Sequence, residues 1–329
     1  MNTARVLASI VIPNRNKERF IAETLRSVQA QSNNDWEVIF VDDNSTDSSL
    51  EIASEFSQKD ARIRCSRLDD GRNGGSAARN HGIKIANGKF ILFLDSDDLL
   101  VPCCLSQRLS RIEPDASDFA VFTMGTFNES IGDRSKTWKP NHRTPLLGFL
   151  SHHIPWSVMS PIFRTDFVRG LGGFDERFPR MQDIEFHTRC LMAPGVKFRV
   201  FRNLPPDCFY RVAEHRSTNP KSSQLETQIQ GMCLYLESFL NPAKNHGDNY
   251  VSALSVTAFR AFERICKSLR SKEITTQQFA TLRMKIEETS VVTNLPDWKS
   301  RLLQRYVATA SRKPLPRGSS YLLRKILER

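Results

Sequence analysis

KFILFLDSDDLL, residues 89–100, is an apolar run closed by three carboxylates within four positions. Five consecutive apolar residues between a glycine and a polar cluster read as a strand buried on both faces. Asp95, Asp97 and Asp98 repel one another at its mouth, more negative charge than the end of a buried strand ordinarily carries. Upstream, residues 6–12 are a short apolar run ending at Pro13-Asn14, and WEVIFVDD (36–43) is a second buried strand. Between them Phe20, Ile21, Leu25 and Val28 recur at helical spacing. NSTDSSLEIASEF (44–56) opens another helix, with Ser48 and Glu51 spaced as a capping box. ARIRCSRLDD (61–70) alternates like a strand, and GGSAARNHGIKIANG (74–88) reads as a glycine turn, a short helix and a terminating glycine. This alternation predicts an α/β fold: a doubly wound, mostly parallel sheet with helices on both faces.

Downstream the pattern loosens. Pro102 suits the first position of the next helix, capped near Val101, and Cys103-Cys104 read as two small buried hydrophobes. Strands, turns and one helix starting near Gln182 follow. After Asn219 every segment is helical, so the expected domains are 1–219 and a helical C-terminal region, 220–329, for acceptor, membrane or partner docking.

The chain has 329 residues, 40% hydrophobic and 25% charged, enough for a real core. Seven cysteines at irregular spacing argue for a reducing compartment. No apolar stretch approaches a membrane span, and the first fourteen residues make a poor signal peptide. The expected location is cytoplasmic, peripheral on the inner face of a membrane. Net charge is +11, with Arg301, Arg305, Arg312, Lys313, Arg317, Arg324, Lys325 and Arg329 near the end. There YLLRKILER (321–329) mixes Tyr321, Leu322, Leu323, Ile326 and Leu327 with basic residues, a pattern suited to an anionic membrane. Nucleic acid, which rests on charge alone, is not expected as a partner.

In an open parallel sheet, ligands bind outside the carboxyl ends of the strands. Here those ends carry Pro13-Asn14-Arg15-Asn16, Asp42-Asp43-Asn44 and Asp95-Ser96-Asp97-Asp98. Helix capping is the plain explanation for such acids, but Ser48 and Val101 already supply caps. Carboxylates clustered without Cys or His favour Mg²⁺ or Mn²⁺, bridging them to a phosphorylated ligand. GRNGGSAARN (71–80) matches neither phosphate-loop fingerprint. Arg79 behind it could fork onto a diphosphate; a solvated helix arginine is the plain alternative. Trp156, after His152-His153, is a candidate to stack on an acceptor sugar.

The stretches SIVIPNRNKERFIAETLRSVQAQSNNDWEVIFVDDNSTDSS (9–49) and NGGSAARNHGIKIANGKFILFLDSDDLL (73–100) together resemble the nucleotide-sugar domain of family-2 glycosyltransferases, which have the GT-A fold. The likeness continues through RGLGGFDERFPRMQDIEFHTRC (169–190) to FYRVAEHRSTN (209–219). It implies that Asp43 accepts a hydrogen bond from the nucleobase, with Pro13, Arg15 and Asp42 around the same pocket. Arg79 would lie along the ribose and diphosphate. DSDD resembles the DxD motif: Asp95 and Ser96 on the substrate side, Asp97 or Asp98 on the metal. Asp183 resembles the general base, and Arg211 and His215 the segment that closes over the donor. Many members carry Glu where this chain has Gln182, so the hydrogen bonds to the acceptor are expected to differ there.

The expected function is inverting transfer of a sugar from a nucleotide-diphospho-sugar, UDP-linked, to a hydroxyl of a saccharide or lipid-linked acceptor. Cell-surface polysaccharide or glycoconjugate synthesis is the expected setting. A carboxylate facing N3–H does not separate uracil from thymine. Two rivals stand. A sugar nucleotidyltransferase would carry a glycine- and lysine-rich triphosphate loop, which VIPNRNKER is not. An inactive homologue would bind donor without turnover.

Overall fold

The computed structural model describes residues 7–69, 71–112, 116–140, 143–212, 221–316 and 318–327. The first hundred residues alternate as their periodicity predicts: β1 (Ala8–Asn14), α1 (Glu18–Gln29), β2 (Trp36–Asp42), α2 (Ser49–Lys59), β3 (Ile63–Arg67), α3 (Gly75–Ile85) and β4 (Phe90–Phe93). There follow β5 (Leu99–Leu100), α4 (Cys104–Ile112), β6 (Phe119–Phe122), β7 (Met124–Phe127), β8 (Thr137–Trp138) and α5 (Pro145–Leu150). Then come β9 (Pro161–Arg164), α6 (Thr165–Gly170), α7 (Gln182–Met192), β10 (Phe198–Phe201) and β11 (Cys208–Arg211). The last six elements are all helical: α8 (Lys221–His246), α9 (Asp248–Arg270), α10 (Thr276–Glu287), α11 (Ser290–Thr293), α12 (Asp297–Ala310) and α13 (Ser319–Leu327).

The described residues divide into two compact units: residues up to 143, 155–176 and 189–216 in one, and 144–154, 177–188 and those from 217 onward in the other. The expected boundary at 219/220 lies outside the described residues.

Every strand belongs to the first unit. Its large sheet runs β10-β6-β9-β4-β1-β2-β3. β3, β2, β1 and β4 pair in parallel; only β9 runs against both its neighbours. A smaller sheet, β5-β11-β7-β8, stands beside it. The apolar runs of β1, β2 and β4 are buried throughout, as parallel strands covered on both faces must be. Gly82 lets α3 lie directly on β1, because a Cβ there would sit 2.4 Å from Val11 Cγ1. Gly82→Ala is therefore expected to destabilise the protein. Overpacking against a stiff buried valine costs about 1–3 kcal/mol, more than the roughly 1 kcal/mol that helix propensity returns. Urea unfolding checks this; an unchanged midpoint would mean that α3 can lift off the sheet.

Three local expectations are corrected. Ser48 precedes α2 but makes no side-chain cap. Instead the Ser49 N–H donates to Asp47 Oδ1 (3.1 Å), the Glu18 N–H to Asp47 Oδ2 (3.0 Å) and the Ser48 N–H to Glu18 Oε2 (2.9 Å), clamping the starts of α1 and α2 together. α4 begins at Cys104, not Pro102, because Leu99–Leu100 first pairs with β11 and a turn follows. Of the cysteine pair, Cys104 is buried and Cys103 exposed.

In the second unit α9 is the central helix, packed against α5, α8, α10, α12 and α13. Its buried face includes Leu254, Phe259, Phe262 and Ile265. Thr257 Oγ1 donates to the Leu150 carbonyl (2.6 Å), which pins α5 to α9. Among the described residues no helix is long and apolar enough to cross a membrane.

Candidate active site

β1, β2 and β4 lie side by side and end at one edge of the large sheet. The polar residues behind each strand therefore meet there, although they are far apart in sequence. Pro13 and Asn14 are buried as the last residues of β1, opposite Val41 and Asp42.

Asp42, assigned to the substrate from the sequence, shapes the turn after β2. It is fully buried; its Oδ2 accepts the Ser45 N–H (3.0 Å), three residues on, and its Oδ1 the Asn14 amide (3.3 Å). Asp43 is different. Oδ2 accepts the Gly74 N–H (2.9 Å) and lies 3.6 Å from the exposed Arg15 guanidinium, while Oδ1 is buried without a hydrogen-bond partner. The glycine turn thus serves the site directly, since Gly74, at φ +94°, presents its N–H to Asp43 and opens α3.

Arg79 follows on α3. Its Nη2 donates to Asp95 Oδ1 (2.6 Å), its guanidinium lies 5.3 Å from the Phe174 ring centroid, and its Nε is buried and unpartnered. The other two acids are held separately. Asp97 Oδ2 receives the Lys17 ammonium at 2.6 Å. Asp98 is fully buried; Oδ1 accepts the Arg211 backbone N–H (2.7 Å) and Oδ2 has no hydrogen-bond partner. Burial, with Asp95 and Asp97 close by, pushes the Asp98 carboxyl well above the ordinary carboxylate range. Ser96 is buried inside the turn, its carbonyl accepting from Thr24 Oγ1 (3.1 Å).

Arg211 braces the acidic turn. The side chain is buried between Phe20 and Phe127, with Nε donating to the Asp97 carbonyl (2.9 Å), Nη1 to the Asn128 carbonyl (3.1 Å) and Nη2 to Glu23 (2.5 Å). Behind the turn a fully buried pair, Arg108 and Asp207, closes at 2.6 Å. The Asp207 carbonyl accepts the Val101 N–H and so fixes β5. Sequence reasoning named Arg211 for the donor rather than as a brace and missed the Arg108–Asp207 pair, because a buried arginine gives no periodic signal. It missed Lys17 as well, although that residue directly follows the strand-end segment Pro13–Asn16. Trp156 is 0% exposed, packed near Phe119 and Phe198 in the core. It therefore has no ring face to offer a sugar, and that assignment is corrected too.

Five buried polar atoms around this edge thus lack hydrogen-bond partners: Asn14 Oδ1, Asp43 Oδ1, Ser76 Oγ, Arg79 Nε and Asp98 Oδ2. Native interiors leave few such atoms, and a concentration of them marks where a ligand completes the set. Donors and acceptors are both open, which suits a ligand with N–H, hydroxyl and phosphate groups.

Gln182 and Asp183 belong to the second unit, at the start of α7. Gln182 Nε2 donates to the Phe178 carbonyl (3.3 Å). Asp183 and Glu185 occupy the first turn, where the helix dipole favours negative charge. His215 lies outside the described residues. The second unit also has an open cavity of about 560 Å³ lined by His152, Arg260, Arg264, Lys267, Arg270 and Tyr306, among others. Burial first, then Arg260 and Arg264, pushes the His152 imidazole down to about 4, so it is neutral at pH 7.

The family model "Glycosyl transferase family 2" matches residues 9–171. The uncharacterized glycosyltransferase EpsJ of Bacillus subtilis is 39% identical over 192 residues, 55% of this chain and 55% of that protein. This chain thus spans about half the length of that relative. An uncharacterized glycosyltransferase of Methanocaldococcus jannaschii is 30% identical over 200 residues, covering 59% of this chain and 67% of that one. Among solved structures, Staphylococcus aureus TarS 1–349 in complex with UDP-GlcNAc superposes with a TM-score of 0.66 at 22% identity, over 98% of this chain and 90% of that one.

Proposed function

The chain belongs to glycosyl transferase family 2, with a GT-A type fold, and from that premise we propose that it transfers a sugar from a UDP-linked donor to an acceptor hydroxyl with inversion. The acceptor is a saccharide or lipid-linked saccharide, in cell-surface polysaccharide or glycoconjugate synthesis. One observation carries the reading: the unpartnered buried atoms at the strand ends match the parts of a nucleoside diphosphate. Asp43 Oδ1 is placed to accept the N3–H of the base. Arg79 Nε is a free donor for the ribose or diphosphate.

The acidic turn suits a hard divalent ion such as Mn²⁺ or Mg²⁺, since Asp98 Oδ2 is a buried oxygen without a donor and its carboxyl is disfavoured as an anion. Asp97 and Asp98 would hold the ion, with remaining ligands from phosphate and water. Such an ion would supply positive charge against that of the departing diphosphate. The protein's own share is to bury the turn, to hold it with Arg211 and to keep Arg79 beside Asp95. Asp183 is the base that takes the proton of the acceptor hydroxyl. With Asp183 as the base, displacement would be direct and would invert the sugar. A panel of UDP-, dTDP- and GDP-sugars, scored by nucleotide release and by thermal shift, tests the reading. Stabilisation without release by any donor would favour an inactive binding homologue; release of pyrophosphate from a nucleoside triphosphate and a sugar phosphate would favour a nucleotidyltransferase.

The second unit supports an anionic partner. Arg260, Arg264 and Lys267 line its cavity from one helix, α9. On α13, Leu323 and Leu327 pack inward, while Tyr321 (60% exposed) and Leu322 (62%) face solvent, so only part of the interfacial pattern is available to a membrane. Flotation on anionic vesicles is expected, falling about fivefold for each of Arg264→Gln and Lys267→Gln, since a basic residue near an anionic surface is worth about 1 kcal/mol. Equal flotation on neutral and anionic vesicles would remove the membrane from the proposal.

A further inference from the structure

The three acids of the turn are each held by a different group, and the three groups differ in their freedom to leave. Arg79 on Asp95 has 9% of its side chain exposed, and Arg211, whose N–H holds Asp98, has 3%. Both are fixed by further contacts: Arg79 by Phe174, Arg211 by Glu23, Asn128, Phe20 and Phe127. Lys17, on Asp97, is 35% exposed. Its backbone is anchored, with its N–H on Ser49 Oγ (2.8 Å) and its carbonyl accepting from Phe20 and Ile21. Only its four-carbon stem and compact ammonium are free to swing, as lysine does and a forked arginine does not. Asp97, the most exposed member after Asp95, is thus neutralised by the one partner that can depart.

We propose that Lys17 is the resident counter-ion of the acidic turn, holding Asp97 in the free protein and yielding it when a divalent cation binds. The inference rests on the reading of this turn as the donor site. It answers how three close carboxylates, one of them fully buried, persist when no ion is bound. A chain ammonium takes the place that the ion later fills, as a charge of the same sign at the same oxygen. Binding the ion must then break the Lys17–Asp97 pair, so Lys17 lowers the site's affinity for metal alone and ties metal uptake to the arrival of a diphosphate, whose negative charge the released ammonium can meet.

The test titrates MnCl₂ into the full chain with and without UDP, reading free Mn²⁺ by electron paramagnetic resonance. Lys17→Met keeps the stem and removes the charge. Its Mn²⁺ affinity without UDP should rise about fivefold to tenfold, because the ion no longer breaks a half-exposed pair or faces a like charge. Its metal-free thermal midpoint should fall, and the deficit should vanish at saturating Mn²⁺ and UDP. Lys17→Arg keeps the charge, should fold as the wild type does, and should weaken Mn²⁺ binding, since a guanidinium can hold Asp97 at two points. The same Mn²⁺ affinity in all three proteins would overturn the role of Lys17 and leave the donor site standing. No Mn²⁺ uptake by any of them, with UDP bound equally in EDTA, would overturn the exchange together with the metal, while the nucleotide site survived.

Discussion

Asp98→Asn is expected to abolish transfer while leaving the protein folded and, in EDTA at neutral pH, no less stable than the wild type. The asparagine carbonyl can still accept the Arg211 N–H that Asp98 Oδ1 accepts at 2.7 Å, so the turn keeps its brace. What disappears is the negative charge at the buried Oδ2. Loss of that charge at a site built to stabilise a departing diphosphate should lower turnover by at least about a hundredfold to a thousandfold. The stability side has a definite sign. The Asp98 carboxyl is held well above its ordinary range by burial and by Asp95 and Asp97. A group whose folded-state value is raised contributes stability below its unfolded value, near 4, and loses it as pH climbs through the folded value. Without metal, the stability advantage of Asp98→Asn should therefore grow from acid toward neutral pH. Unfolding midpoints in EDTA across that range check it; an advantage that shrinks with rising pH would mean that Asp98 is stabilised as an anion by the chain itself.

The second large effect belongs to Asp183. Asp183→Asn removes the proton acceptor and keeps the shape, so the transfer rate should drop about a hundredfold to ten-thousandfold. UDP affinity should stay within a factor of about two, because the atoms proposed to meet the nucleotide belong to Asn14, Asp43, Ser76, Arg79 and Asp98 and not to Asp183. The competing role is electrostatic: Asp183 sits in the first turn of α7, where losing its charge costs under about 1 kcal/mol and nothing in rate. Calorimetric UDP affinity and the transfer rate on the same variant decide between them. A near-normal rate would take Asp183 out of the mechanism.

Much of this was legible in the sequence, and the failures have physical causes. The order of β1 to β4 and their helices followed from apolar runs and helical spacing, because strands covered on both faces have no other way to read. Arg79 was proposed because it follows a glycine turn on a short helix, and Asp43 and Asp98 because strand ends of a parallel sheet converge. Asp42 was placed with them for the same reason, yet its oxygens close a local turn, which adjacency cannot distinguish from a ligand contact. Ser48 and Glu51 had the spacing of a capping box, but Glu18 takes the Ser48 N–H that the box needs, and Asp47 caps with the neighbouring Ser49 N–H. The box that does form, Thr275 with Gln278, lies on α10. β5 and β8 are two residues long, too short for any period. Trp156 was a candidate sugar platform because it falls between the donor half and the proposed base, and only tertiary packing reveals that the ring is in the core. A boundary read along the chain also could not show that residues 144–154 and 177–188 join the C-terminal helices in one unit.

The most direct test of the donor site is the calorimetric affinity of the wild-type protein for UDP, with Mn²⁺ and then with EDTA, beside the same pair for Asp98→Asn. The predicted result is binding that Mn²⁺ strengthens at least about tenfold in the wild type and leaves unchanged in Asp98→Asn. No UDP binding by the wild type under either condition would contradict the assignment of the strand-end edge as a nucleotide-sugar site.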